Sequence, residues 1–436
     1  MNEAERNLTS DLDAEVMPAP RRMPSIDFDE ALAMFFVVLY HSHYYTTNFV
    51  EYGASAFPYY LLNGLLSTCV PMFFLVNGYL LFRKELNLRK HIIKTVRLTV
   101  VTIIWSFIIP VVLCPITGYE PTIKELLSWG WYRTMGWNDQ LWFIGALVCI
   151  YIFFPILKVA YDKYRPAFLF FAAVCAIMTF GVVLLNQVIS VALCGLFNRG
   201  SLFDFNYFAS FDPFRGIHGY SFVYFCLGGL LWDKRGALLK RAPNKRVALA
   251  VATLVISSAL LAAWGWLASS VNGKLFDTVY HGYDTVFVLA NTLALFVLGL
   301  SYQGKAKTPH RFILAVSQNT LGILYVHNMV RVTLNLLVDS SGALTQLCSN
   351  LIGSVFYALI ILSMSLGIIC ILKKIPVLKQ PVYTSEVSGR AHSKLTDPSL
   401  PLPLKSKKGR GSLKNPRPFY ERAIALQRIS IALYRV

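Results

Sequence analysis

DFDEALAMFFVVLYHSH, residues 27–43, is the stretch that decides how the chain is read. It has the pattern of a hydrophobic helix that opens on Asp27, Asp29 and Glu30 and carries His41 and His43 among apolar residues. The uncharged run continues through Tyr44, Tyr45 and Phe49 to Val50. It predicts a helix over roughly 29–49, long enough to cross a bilayer. At ~1.5 Å per residue, His41 lies roughly 17 Å beyond Glu30, past the midplane. An ionisable side chain at that depth is costly and is by default a functional candidate. The other reading is a structural histidine hydrogen-bonded to a neighbouring helix, and the bare residue leaves both open. His43, two positions on, points to a different face.

The rest of the chain has the same character. Of 436 residues, 55% are hydrophobic, and the mean hydropathy is +0.51. That excludes an ordinary soluble domain, and repeated uncharged runs of about 18 residues or more predict an all-α, polytopic membrane protein. Lys and Arg number 41 against 23 Asp and Glu, a net +18. The basic residues fall in short segments between apolar runs and in the C-terminal tail, a positive-inside pattern rather than a nucleic-acid-binding one. Eight scattered cysteines form no CxxC or Cys/His spacing, and no metal-ligand constellation is visible. The polar, acidic start with Arg21–Arg22, and the lack of a small-residue cleavage site, point to an uncleaved signal anchor.

Taken in order, residues 1–25 read as a disordered cytoplasmic arm and 26–373 as the membrane domain. Residues 374–436 read as a basic, disordered cytoplasmic tail that either lies on anionic lipid or is simply solvated. About ten spans are predicted, at roughly 29–49, 59–82, 98–114, 141–157, 167–189, 218–232, 247–269, 285–303, 312–337 and 349–372. This alternation puts each basic segment and both termini on the cytoplasmic face. Trp129, Trp131, Trp137, Phe205, Tyr207 and Phe208 fall outside, where they either stack on sugars or form an interfacial belt. His218 and His281 read as outer surface residues.

Four stretches carry a resemblance. They are the opening Asp27–Ala33 segment followed by VVLYH to His41, VPMFFLVNGYLLF (70–82), LWFIGALVCIYIFFPIL (141–157) and TLGILYVHN (320–328). In this order the chain resembles the membrane-bound acyltransferase-3 family, O-acyltransferases of bacterial surface glycans. Its likeness is greatest to the branch that acetylates enterobacterial common antigen. The resemblance covers about residues 25–375. It implies transfer of an acyl group, usually acetyl from cytoplasmic acetyl-coenzyme A, to a hydroxyl of a polysaccharide or lipid-linked glycan at the bacterial inner membrane. It makes His41 the catalytic residue, either as a base near neutral pH or as the acyl carrier. It also places His327 and Glu30 as further catalytic candidates, Lys94, Arg97 and Arg89 as donor-binding candidates, and Trp142 and Tyr325 as substrate-binding candidates. Lys94 and Arg97 equally fit ordinary positive-inside anchoring, and His327 equally fits packing.

One position departs from the family. Eleven residues before the histidine the family carries an arginine or lysine, and here that position is Glu30. Eleven residues is close to three helical turns, so Glu30 shares a face with His41, and its charge repels the phosphates of coenzyme A. Arg21, Arg22, Arg83 and Arg89 are the nearby cations. Gln140, before the Leu-Trp-Phe motif, is a milder departure. Two other readings stay open: a glycan or acyl-group transporter using His41 and His327 as proton-coupling groups, and a non-catalytic family member. The sequence gives no oligomeric state.

Overall fold

The computed structural model describes residues 23–132, 136–197, 200–205, 219–240, 242–302 and 307–374. The expected arm and tail lie outside these residues, except for 23–25 and Lys374. So do Tyr207, Phe208 and His218. Among the described residues the only regular structure is helical.

Among the described residues each of the ten segments predicted to span contains helix, though not always as one helix, and seven helices are long and apolar enough to cross a membrane. Helix α1 is Pro24–Ser42, α2 Cys69–Phe82 and α3 Leu88–Thr117. Next comes α4, Ile123–Tyr132, a short amphipathic helix. Then come α5 Trp142–Lys163, α6 Arg165–Phe197, α7 Tyr220–Lys240, α8 Pro243–Asn272 and α9 Val286–Gly299. The C-terminal part adds α10 Lys307–Ser317, α11 Thr320–Asp339, α12 Gly342–Cys348 and α13 Leu351–Leu372. With the turn before it, α2 belongs to the seven, as do α3, α5 with its leading turn, α6, α8, α11 and α13. The other three predicted segments are α1, which carries acids, α7, which ends in a charged turn, and α9, which has 14 residues.

Several boundaries differ from those expected, each for a local reason. Pro24 at the first turn starts α1 five residues early. The helix stops at Ser42 because His43 is extended, with ψ 142°. The three acids sit in the first two turns of α1, and the run to Val50 does not continue as one helix. Asn87 accepts from the Lys90 amide and so starts α3 ten residues early, which puts Arg89, Lys94 and Arg97 on a helix rather than in a loop. The predicted 312–337 helix is two helices, broken at Gln318 and Asn319 between α10 and α11. A π-helical turn, Ile177–Gly181, lies within α6.

The core is built around α1, which packs against α2, α9, α10, α11 and α13. Of the seven long apolar segments, the one ending in α2 is the most enclosed and α6, on the periphery, the least. The closest crossing is α2 on α7. A Cβ on Gly78 would lie 1.9 Å from the Phe225 carbonyl oxygen, and one on Gly228 would lie 2.1 Å from that of Leu75. Such approach between apolar helices requires residues without side chains. It brings Phe82, Phe154, Phe168 and Phe225 into one aromatic cluster. Helix α4 is held on α3 by Ser106, which donates to the Gly130 carbonyl at 2.7 Å.

Candidate active site

A narrow cavity of about 230 Å³ follows α1 along one face. Its lining includes Met23, Ile26, Asp27, Glu30, Met34, Val37, Tyr40 and His41. These positions recur at three- and four-residue steps, so one face of α1 lines the cavity for about 27 Å. Helix α2 forms another wall with Cys69, Val70, Phe73, Asn77, Leu80 and Arg83. The middle is apolar, with Phe143 and Leu147 of α5 added. The end near Met23 is charged, with Asp27, Glu30, Arg83 and Lys94.

A second, wider cavity of about 650 Å³ lies at the other end of α1. It is lined by His43, Thr47, Asn63, Tyr132, Asp139, Leu275, Asp277 and Arg331. Tyr40, His41, Gln140, Trp142 and Tyr280 line both cavities. His41 therefore stands where the two meet, with its ring exposed to them. No described residue hydrogen-bonds to that ring, which leaves its nitrogens available to whatever enters.

His327 of α11 lies beside it, with ring centroids 5.6 Å apart. His327 is fully buried. Its Nδ1 sits 2.9 Å from the Leu324 carbonyl and 3.1 Å from that of Ile323. Carbonyls only accept, so Nδ1 carries the hydrogen and the neutral ring keeps its lone pair on Nε2, which has no partner. One turn further on, a polar chain floors the wide cavity. Arg331 Nε donates to Asn328 Oδ1 at 2.6 Å, and Asn328 Nδ2 donates to Gln140 Oε1 at 3.2 Å and to the Trp137 carbonyl at 2.7 Å. Across the junction the Tyr40 hydroxyl donates to Asp277 Oδ2, while Asp277 Oδ1 accepts from the Val279 amide at 2.9 Å.

The sequence candidates divide on this geometry. His41, Glu30, Lys94 and Trp142 line the narrow cavity, and His327 flanks it. Lys94 lies 5.0 Å from the Tyr151 ring centroid, and the Tyr151 hydroxyl donates to Asn77 Oδ1 at 2.8 Å. Arg97 and Arg89 are exposed on α3 and line neither cavity. Tyr325 is turned away: it stacks on Trp105 at 5.4 Å, and its hydroxyl meets Thr102 Oγ1 at 2.9 Å. Glu30 Oε2 and Asp27 Oδ1 share the Ser317 hydroxyl, at 2.7 and 2.8 Å. His43 has left the helix and stacks on Tyr45. His281 is exposed.

Trp129, Trp131 and Trp137 line neither cavity, and the aromatic rings of the wide one are Tyr40, Tyr132, Trp142 and Tyr280. Arg331, Asp277, Asn77, Tyr151 and Ser317 are site residues that sequence reasoning had not selected. An arginine within an apolar helical stretch was the available signal for Arg331. Asp277 and Ser317 gave none, because only the fold brings them to α1.

Comparison with known proteins agrees with the motifs. No curated protein and no solved structure matches the chain. The acyltransferase-3 family model, described as an acyltransferase domain, matches residues 23–374. That span holds both cavities and every helix described above, and the chain belongs to this family.

Proposed function

We propose that the protein is a membrane O-acyltransferase that moves an acyl group, acetyl in the simplest case, from coenzyme A to a glycan hydroxyl. The observation that carries this reading is the position of His41, shared by two cavities that open toward opposite ends of α1. The narrow cavity suits a thioester donor: cations near its mouth for phosphates, an apolar middle for a thin arm, and His41 at its end. The wide cavity suits a sugar: Trp142, Tyr132 and Tyr280 for ring faces, and Asp139, Asp277, Gln140 and Arg331 for hydroxyls. In the bacterial inner membrane the narrow end would face the cytoplasm and the wide end the acceptor. The acceptor would be a surface polysaccharide or lipid-linked glycan of the enterobacterial common antigen kind.

Two routes fit this placement. In direct transfer a His41 ring nitrogen takes the proton of the attacking hydroxyl, the hydroxyl oxygen bonds to the thioester carbonyl carbon, and the C–S bond breaks. The proton then passes to the leaving thiolate. In the two-step route the His41 nitrogen bonds to the thioester carbonyl carbon and the C–S bond breaks, then the sugar oxygen bonds to that carbon, the C–N bond breaks, and the hydroxyl proton passes to the thiolate. The second route lets donor and acceptor arrive at different times from different ends.

The test is acetyl-coenzyme A hydrolysis or transfer by the purified protein in vesicles, with His41→Ala alongside. Loss of about 10²-fold or more in turnover is expected. Equal turnover by a folded His41→Ala protein would end the reading.

A further inference from the structure

Arg83, one of the cations at the mouth of the narrow cavity, belongs to a cluster that extends beyond the cavity lining onto α7. Arg83 follows the last turn of α2 and lines the cavity. Its guanidinium carbon lies 5.8 Å from the Trp232 ring centroid. Arg235, three residues along α7, lies 5.8 Å from the same ring. Tyr79 meets that indole edge-on at 5.4 Å. The Nε atoms of both arginines are buried with no hydrogen-bond partner. The acid in the same turn of α7, Asp233, is already bonded to Arg165 and Tyr161. Among the described residues no carboxylate pairs with Arg83 or Arg235.

Two guanidinium groups held in each other's field without a counter-charge are unfavourable until an anion joins them. A guanidinium fork matches phosphate oxygens, and an indole face adds a surface for a flat base or a cation. The cluster also lies at the right end. Along α2 the lining runs from Cys69, beside the junction, to Arg83, about 21 Å of helix. A linear thioester arm lying in that channel would leave its nucleotide end at Arg83.

We propose that Arg83, Trp232 and Arg235 anchor the nucleotide phosphates of the acyl donor. They supply from α2 and α7 the positive charge that Glu30 withholds from α1. The proposal rests on the acyl-coenzyme A reading above.

The experiment compares acetyl-coenzyme A with S-acetyl-pantetheine, which carries the same thioester arm and no nucleotide, on the full chain in vesicles. For the native protein, adenosine 3′,5′-bisphosphate should inhibit competitively against acetyl-coenzyme A, and less at high salt. In Arg235→Gln the ratio of kcat/KM for acetyl-coenzyme A over acetyl-pantetheine should fall about tenfold, through KM. Arg235→Lys should recover part of it, and Arg83→Gln should act in the same direction. An unchanged ratio in both glutamine variants overturns the anchor. So does a native protein that handles both thioesters equally and ignores the bisphosphate, a result that needs no variant to fold and leaves the transferase reading standing. If the native protein turns over neither thioester, both fall together.

Discussion

The imidazole rings of His41 on α1 and His327 on α11 lie 5.6 Å apart, one open to the cavities and the other sealed. The two differ in what they can do. His41 can reach a substrate. His327 has its Nδ1 hydrogen committed to the Ile323 and Leu324 carbonyls and offers only a lone pair toward its surroundings. A lone pair next to a ring that takes up a proton during reaction stabilises the protonated form. On the acyl-transfer reading proposed above, His327 serves as a positioning residue for His41. His327→Gln, whose amide oxygen can stand near Nε2, should keep more turnover than His327→Leu. The leucine variant should lose about tenfold or more in kcat with little change in donor KM. Steady-state kinetics on both variants decide it, and equal, small effects would reduce His327 to packing.

The α2–α7 crossing has no room for even one methyl group. A Cβ on Gly78 would meet the Phe225 carbonyl, which is backbone and cannot swing away. Gly78→Ala should therefore destabilise the protein by about 1–3 kcal/mol or more. Melting temperature in detergent should drop, with Gly367→Ala as a control because a Cβ there meets nothing within 4 Å.

The helices were legible because hydrophobic runs and basic punctuation follow from the bilayer itself. That is why, among the described residues, each predicted segment contains helix and seven helices are long and apolar enough to cross a membrane. Their ends were less so. Pro24 and Asn87 are start signals visible in sequence, but the apolar run past His43 and the basic run before Leu98 masked them. The break at Gln318–Asn319 carries no proline or glycine to announce it. In the site, His41 and Trp142 could be found because each lies in a motif, and Lys94 because it stands in the basic run after the second motif. Arg331, Asp277 and Ser317 could not, since what makes them part of the site is proximity to α1 across hundreds of residues. Tyr325 shows the converse: a motif residue whose side chain packs against Trp105 of α3 instead of lining the cavity.

Asp284 gives a pH signature outside the spanning helices. It lies in the 273–285 segment before α9, and burial pushes its carboxyl up to about 6, against the pull of His281. Unfolded, the group titrates near ~3.9. The folded state thus holds the proton more tightly, and the stability this group contributes is present below about pH 4 and lost as pH rises through about 6. Asp284→Asn does not ionise and escapes that loss. The melting temperature of the variant should gain on the native protein between about pH 4 and pH 8, and a gap independent of pH would refute the assignment.

Glu30 is the position where charge and family pattern conflict, and the structure gives it a definite setting. It lines the charged end of the narrow cavity and shares the Ser317 hydroxyl with Asp27. Glu30→Arg exchanges a repulsive charge for an attractive one beside the donor path, and Asp27 is at hand to orient the new guanidinium. KM for acetyl-coenzyme A should fall about threefold to tenfold, with a weaker effect in high salt. Acetyl-pantetheine, without phosphates, should show a much smaller change. If KM for acetyl-coenzyme A instead stays fixed while the arginine variant folds normally, the phosphates are held beyond the reach of α1. The anchor on α2 and α7 would then carry the donor alone, and Glu30 would serve the Ser317 contact between α1 and α10.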